Sequence, residues 1–327
     1  MISRRDVLGL AASALLPALA RAQAARKPIR IAWFSGGTYQ DQRTYVDAFR
    51  GGMKELGYSE GRDFNIQYFW RGDTIKPFSW IAKDIAAANP DFIMTTCEVT
   101  TAAAQNVTRT IPIVMTAATD PVASGVVASL ARPGGNVTGI SSTLIEVSIK
   151  RIELVKELLP SADRIAFVRW RYEIVGPTEM QMLERTAQRL GMAFKSFLAE
   201  DDADFKRVYV DMQKERFSAA IDLAGLAISF PYTSLLPELA LRHRIPMVYF
   251  IHEFVEHGGL ISYGSSVSDG FRRSAHYVDR IAKGARPAEL PVEQPSSLEL
   301  WVNQATARTM GVKVADSILV RADRVIG

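Results

Sequence analysis

The sequence predicts an α/β protein made of two successive doubly wound units, each a parallel sheet with helices on both faces. Three observations predict it. From Ile29 onward, apolar runs of strand length alternate with segments of helical period, the βαβ rhythm of a sheet covered on both sides. The rhythm pauses and restarts near the middle of the chain, and 327 residues suffice for two ordinary domains, each with its own core. The composition, 48% hydrophobic and 23% charged, is that of an ordinary globular protein.

In the first unit the apolar run 29–35 predicts a buried strand, followed by the loop Gly36-Gly37-Thr38. A helix over 41–56 carries the stripe Tyr45, Phe49, Met53 and Leu56, and Gly57 stands where a C-cap glycine belongs. Strands over 64–70, 91–96 and 113–117 alternate with helices over 77–88 and 99–108. Asp120-Pro121-Val122 then opens an apolar, helix-like run. Arg132-Pro133-Gly134-Gly135-Asn136 leads from it into a glycine-containing return strand ending at Ser141-Ser142.

The second unit begins with a helix over 146–159, stopped by Pro160. Strands over 164–169, 193–198, 219–223, 247–250 and 260–263 follow, with helices over 177–190, 202–215 and 232–243 between them. Residues 139–143 and 263–265 are predicted hinges, and the extended run 297–302, after Pro291 and Pro295, is a third crossing. The expected division is 29–141 plus about 265–296 in one lobe, and 142–264 plus about 297–327 in the other.

Residues 1–24 read as an export signal that is removed. Ser3-Arg4-Arg5-Asp6 gives a positive start, 7–20 is modestly apolar, and Ala18, Ala20, Ala22 and Ala24 offer small-residue cleavage positions. The paired arginines favour the twin-arginine route, although a general secretory signal has a similar outline. The run is too short and alanine-rich to span a bilayer. Three arginines against one aspartate leave a surplus of two there, so the formal charge of +4 falls to about +2 on processing, which is no nucleic-acid footprint. Cys97 is the only cysteine, so no intrachain disulfide forms; it reads as a buried strand-end residue rather than a nucleophile, since His243, His252, His257 and His276 lie far along the chain.

In an open α/β sheet, ligands bind beyond the carboxyl ends of the strands. The first unit places Gly37, Thr38, Thr96, Cys97, Glu98 and Asp120 there. Small hydroxyls and amides ahead of helices suit a carboxylate, and Asp120 or Glu98 suits an ammonium; each such residue is equally an ordinary helix cap. The second unit places Arg169, Trp170, Gly225, Tyr249 and Tyr263 at the matching ends. Trp170 would stack on a flat ligand with Arg169 or Arg171 supplying charge, or the cluster is a solvated rim. Gly134-Gly135 precedes a strand rather than a helix, the reverse of a phosphate cradle, and His252 and His257 stand five apart, which is not the zincin spacing. No cofactor or metal is expected.

The segment from Asp120-Pro121-Val122 through Arg132-Pro133-Gly134-Gly135-Asn136-Val137-Thr138-Gly139, followed by Lys150-Arg151-Ile152-Glu153-Leu154, resembles ABC-transporter substrate-binding proteins, in the family that includes tryptophan- and phenylalanine-binding lipoproteins. Glu253-Phe254-Val255, Gly258-Gly259-Leu260-Ile261-Ser262-Tyr263-Gly264, Leu290-Pro291-Val292-Glu293-Gln294-Pro295 and Ala322-Asp323-Arg324-Val325-Ile326 are similar to the same family. The resemblance implies a type I periplasmic-binding fold with a three-strand hinge, closing on a small solute and delivering it to an inner-membrane ABC permease. It also implies that Asp120, the hydroxyl loops and the Tyr249 and Tyr263 strand ends face the cleft. Arg169-Trp170 stands where relatives commonly have Asn-Pro, and Ser35-Gly36-Gly37 where Ser-Pro-Gly is usual, so the ligand does not carry over. The expectation is a periplasmic, monomeric, non-catalytic binding protein for an amino acid or small aromatic carboxylate. The rivals are a ligand sensor for a membrane receptor and an isomerase using Cys97.

Overall fold

The computed structural model describes residues 27–72, 76–118, 120–142, 144–170, 176–223, 232–295 and 297–327. The export-signal reading therefore lies outside the described residues.

The first sheet is fully parallel, with strand order β2-β1-β3-β4-β5. Its strands are β1 (Ile29–Ser35), β2 (Phe64–Trp70), β3 (Phe92–Thr95), β4 (Ile113–Ala118) and β5 (Val137–Ser141). Helices α1 (Tyr39–Glu55), α2 (Phe78–Ala88) and α3 (Glu98–Val107) connect them. The central strands are buried on both faces, as unbroken runs such as Ile-Ala-Trp-Phe require. Trp33 and Met94 pack toward α1, while Phe34 and Ile93 pack toward α2 and α3.

The second sheet repeats the order and extends it: β7-β6-β8-β9-β10, then β11 and β12. These are β6 (Arg164–Trp170), β7 (Ala193–Ala199), β8 (Ala219–Asp222), β9 (Met247–Tyr249), β10 (Ile261–Ser265), β11 (Leu298–Asn303) and β12 (Arg324–Ile326). Among the described residues only the β10–β11 pairing is antiparallel. Helices α4 (Leu144–Leu158) and α5 (Pro177–Arg189) cover one face; α6 (Asp202–Lys214) and α7 (Leu235–His243) cover the other. The short α8 (Glu253–Glu256) follows β9. Then α9 (Val267–Ala282) returns to the first unit and packs on α1 and β4, while α10 (Gln304–Met310) and α11 (Asp316–Arg321) complete the tail.

The chain thus passes between the sheets three times: after β5, between β10 and α9, and ahead of β11. The crossings are tied together. Ser141 N–H donates to Glu293 O at 2.9 Å and Glu293 N–H to Gly139 O at 3.0 Å, while Gly264 pairs with Glu299 across β10 and β11. A Cβ on Gly264 would stand 1.8 Å from Phe250 O, so only glycine lets β10 pass this close to the backbone that follows β9. Beside it the buried Arg151 of α4 donates from Nε to Tyr263 O at 2.6 Å and from Nη1 to Ser148 Oγ at 3.2 Å, bracing the first crossing to the second.

One expected element is absent. The run after Asp120 forms turns rather than a helix. Asp120 Oδ1 accepts from the amides of Val122 and Ala123 at 3.1 and 2.9 Å, and Ser124 Oγ donates to Asp120 O at 2.8 Å. Side chains that bond the local backbone in this way compete with helix formation, and they win here.

Candidate functional site

A strand order of 2-1-3-4-5 has its switch point between the first and third strands, and ligands bind at the carboxyl ends there. In the first sheet that places the site at the ends of β1 and β3, in the second at the ends of β6 and β8.

At the first edge the fully buried Ser35 Oγ is the centre of a hydroxyl and amide network. Gln42 Nε2 of α1 donates to it, Thr96 Oγ1 donates at 3.2 Å and Gly37 N–H at 3.4 Å. Gln42 Oε1 in turn accepts from Trp33 Nε1 at 3.2 Å. Thr38 forms a reciprocal capping box: its N–H donates to Asp41 Oδ2 at 2.8 Å while its Oγ1 accepts from Asp41 N–H at 3.3 Å. The amides of Thr96 and Cys97 each donate to Thr100 Oγ1 at 3.3 Å. The four amides expected to hold a carboxylate therefore already have partners within the chain. What remains is the positive end of two helices, α1 and α3, brought side by side by the Ser35–Thr96 contact.

Glu98 and Asp120 join this edge through each other. Asp120 N–H donates to the buried Glu98 Oε1 at 2.8 Å, tying the end of β4 to the start of α3. Asp120 spends Oδ1 on its own turn, which weakens its expected role toward an ammonium. Cys97 is buried as the N-cap of α3, and burial pushes its thiol up to about 11, so it is a neutral thiol at pH 7. Gly37, Thr38, Thr96, Cys97, Glu98 and Asp120 are thus brought together.

The second edge is aromatic. Trp170, at the end of β6, packs on Phe205 of α6 with ring centroids 5.9 Å apart and on Tyr232 at 5.5 Å, and Phe205 and Tyr232 meet at 4.7 Å. Trp170 is only 7% exposed, so it is a wall of a box rather than a free stacking platform, and its Nε1 is buried without a hydrogen-bond partner. The Tyr232 phenol is pushed up to about 12 by burial and by Asp202 and Asp201; Arg71, from the end of β2 in the other sheet, opposes this. The box thus lies within electrostatic reach of the first unit.

The other expected residues of this edge diverge. Arg169 alternates to the opposite face of β6, on the side of Phe167 and α4, so it does not cluster with Trp170. Tyr249 is fully buried and stacks on Phe254 at 4.6 Å, and burial lifts its phenol well above the usual range. Tyr263 lines a separate groove of about 530 Å³ with Lys150, Glu153, Leu300 and Arg321. Gly225 lies outside the described residues.

Four contributors were not legible as site residues: Phe205, Tyr232 and the pair Tyr45 and Glu253. The phenol of Tyr45, on α1, donates to Glu253 Oε1 at the start of α8, joining the two units directly. His252 stacks on Trp301 at 4.3 Å and lies 3.4 Å from Glu299 through Nδ1. The available signal was position alone: Glu253 follows β9 at its carboxyl end. Among the described residues no group of three or more His, Cys, Asp or Glu is placed to hold a metal ion.

The same fold recurs in known proteins. A tyrosine-binding protein from Clostridioides difficile (strain R20291) is 25% identical over 265 residues, covering 80% of this chain and 74% of its own. A conserved domain protein from Vibrio cholerae O1 biovar El Tor superposes with a TM-score of 0.82 at 26% identity, over 91% of this chain and 100% of its own. An ABC domain from Streptococcus pneumoniae, solved in complex with L-Trp, shares the fold with a TM-score of 0.82 at 21% identity, over 92% of this chain and 100% of its own. The family described as ABC transporter substrate binding protein matches residues 40–326, so the chain belongs to that family of two-lobed, type I substrate-binding proteins.

Proposed function

We propose that this chain is the exported solute-binding component of an ABC importer. It captures an aromatic amino acid or a small aromatic carboxylate between its lobes and delivers it to an inner-membrane permease. The observation that carries the reading is the pairing of two switch-point edges of complementary chemistry: hydroxyls and helix N-termini around Ser35 and Thr96, and an aromatic box around Trp170. The relatives named above, one tyrosine-binding and one holding L-Trp, support an aromatic solute.

In this reading one lobe comprises 29–141 and about 265–296, the other 142–264 and about 297–327. The three tied crossings are the hinge, and each lobe contributes part of the contact set on closure. The positive ends of α1 and α3, with Gly37, Thr38, Thr96 and Cys97 around them, orient the solute carboxylate. Glu98 and Asp120 shape the rim, and Trp170 packs on the ring. The chain works as a periplasmic monomer after loss of 1–24, by the twin-arginine route, without cofactor, nucleic acid or catalysis. A buried, neutral Cys97 thiol supports the last point. No described helix is long and apolar enough to cross a membrane, and the permease supplies the membrane step.

A thermal-shift screen against amino acids and aromatic acids tests this. A solute at a hundred times its Kd adds about 2.7 kcal/mol of stability, a shift of several degrees. A broad library in which no aromatic amino acid or acid raises the melting temperature contradicts the proposal.

A further inference from the structure

Glu253 sits at the carboxyl end of β9, on the ligand edge of the second sheet, yet its partner Tyr45 belongs to the first unit. The carboxylate therefore lies between the lobes, close to the crossings: neighbouring His252 faces Glu299, which pairs with Gly264 where the second and third crossings meet. Tyr45 uses only Oε1. Oε2 is shielded from water and has no hydrogen-bond partner.

A carboxylate oxygen left in this state is costly, because an ionised group removed from water needs compensating donors or a counter-charge. His252 supplies them only in part, being 3.6 Å from Oε1 and stacked on Trp301. The other charged groups nearby, Glu256 and Glu299, are anionic and deepen the negative potential. Burial raises the Glu253 carboxyl above the ordinary glutamate value, with His252, Tyr45 and its own amide only partly offsetting it. An incoming cation with N–H donors would satisfy all of these at once.

We propose that Glu253 Oε2 accepts the ammonium group of the solute, so that the chain selects α-amino acids over the corresponding des-amino acids. The inference rests on the proposed function and goes beyond it by assigning the solute class, and it moves the ammonium site from Asp120, whose Oδ1 is already engaged, to the other lobe. Tyr45 then has a second part: by fixing Oε1 it turns Oε2 toward the solute and couples ammonium capture to contact between the lobes.

The test is titration calorimetry on the full chain and on Glu253→Gln, with two ligand pairs: L-tryptophan against indole-3-propionate, and L-tyrosine against 3-(4-hydroxyphenyl)propionate. Glutamine keeps the shape and the carbonyl that Tyr45 needs, and a melting curve checks the fold. A hydrogen bond to a charged group contributes roughly 1.5–3 kcal/mol, or about 10–100-fold in affinity. The wild-type chain is expected to prefer each amino acid by about that factor, and Glu253→Gln to lose the preference while binding the des-amino acids within about threefold of wild type. A wild-type chain that binds both members of a pair equally overturns the inference and leaves the aromatic-solute reading standing. So does a variant that weakens both members equally, or neither. A wild-type chain that binds none of the four overturns the reading itself.

Discussion

The switch-point edges of the two sheets are built on opposite principles. At the first, Ser35, Thr38, Thr96, Cys97 and Asp120 spend their donors and acceptors on each other, on Gln42 and Thr100, and on the local backbone. At the second, an indole N–H and a carboxylate oxygen are buried without hydrogen-bond partners. A satisfied network holds its shape with or without solute, so the first edge is a preformed seat. The second edge is incomplete alone, so it has the most to gain from a solute. On the proposed function, affinity depends on what the solute brings to the second edge, and orientation on what the first edge already fixes.

Removing Trp170 breaks this contrast most severely. Trp170→Ala should cost about 3–5 kcal/mol of stability by emptying the box with Phe205 and Tyr232, and should abolish measurable binding of aromatic solutes. Chemical denaturation gives the first quantity and calorimetry the second; a loss below about 1 kcal/mol would show that the box is not packed as described. Ser35→Ala removes the acceptor of a fully buried network and should cost about 1–3 kcal/mol, leaving Gln42 and Thr96 in need of partners. Thr38→Ala removes only a helix cap, for about 1 kcal/mol, and should leave affinity within a few fold of wild type. If it instead weakened binding as strongly as Trp170→Ala, the first edge would be contacting solute through Thr38.

The pH dependence sharpens the contrast further. Glu253 is raised in the folded chain, so its contribution to stability is complete below the unfolded glutamate value and is lost as pH rises through the folded one. Asp279 behaves oppositely: burial raises its carboxyl, but Lys283 and the Tyr58 phenol at 2.9 Å outweigh that and lower it, so its contribution is present at neutral pH and lost on acidification. Melting temperature against pH should therefore lose, in Glu253→Gln, the part of its decline that begins above the ordinary glutamate range, while keeping its acid limb. Substituting Cys97 with serine is the smallest expected change, with solute affinity nearly unaltered; a tenfold loss would give the thiol a role that its burial argues against.

Much of the fold was legible because a buried parallel strand is an uninterrupted apolar run and its helices carry clear stripes; 64–70 and 29–35 emerge unchanged as β2 and β1. The helix α9 was missed although Val267, Phe271, Ala275 and Val278 recur on one buried face at helical spacing. Gly270, Ser274 and Asp279 are buried beside Phe271 and Val278, and a Cβ on Gly52 of α1 would meet Arg272 O at 2.1 Å. Small residues let α9 and α1 approach closely. The run after Asp120 failed the other way, its apolar content suggesting a helix while Asp120, Pro121 and Ser124 selected turns. The hydroxyl edge was readable, because each residue ends a strand. The aromatic box and the Tyr45–Glu253 bond were not: they join residues far apart in sequence, 208 positions in the second case, which only the crossings bring together.

The central claim is that solute binds between these two unlike edges. A crystal structure of the full chain, grown with whichever aromatic amino acid raises its melting temperature most, tests it directly. The account predicts density between the Ser35–Thr96 edge and the Trp170 box, with the ammonium toward Glu253. Density instead in the groove beside Tyr263, Lys150 and Arg321, with the space between the lobes empty of solute, would contradict it.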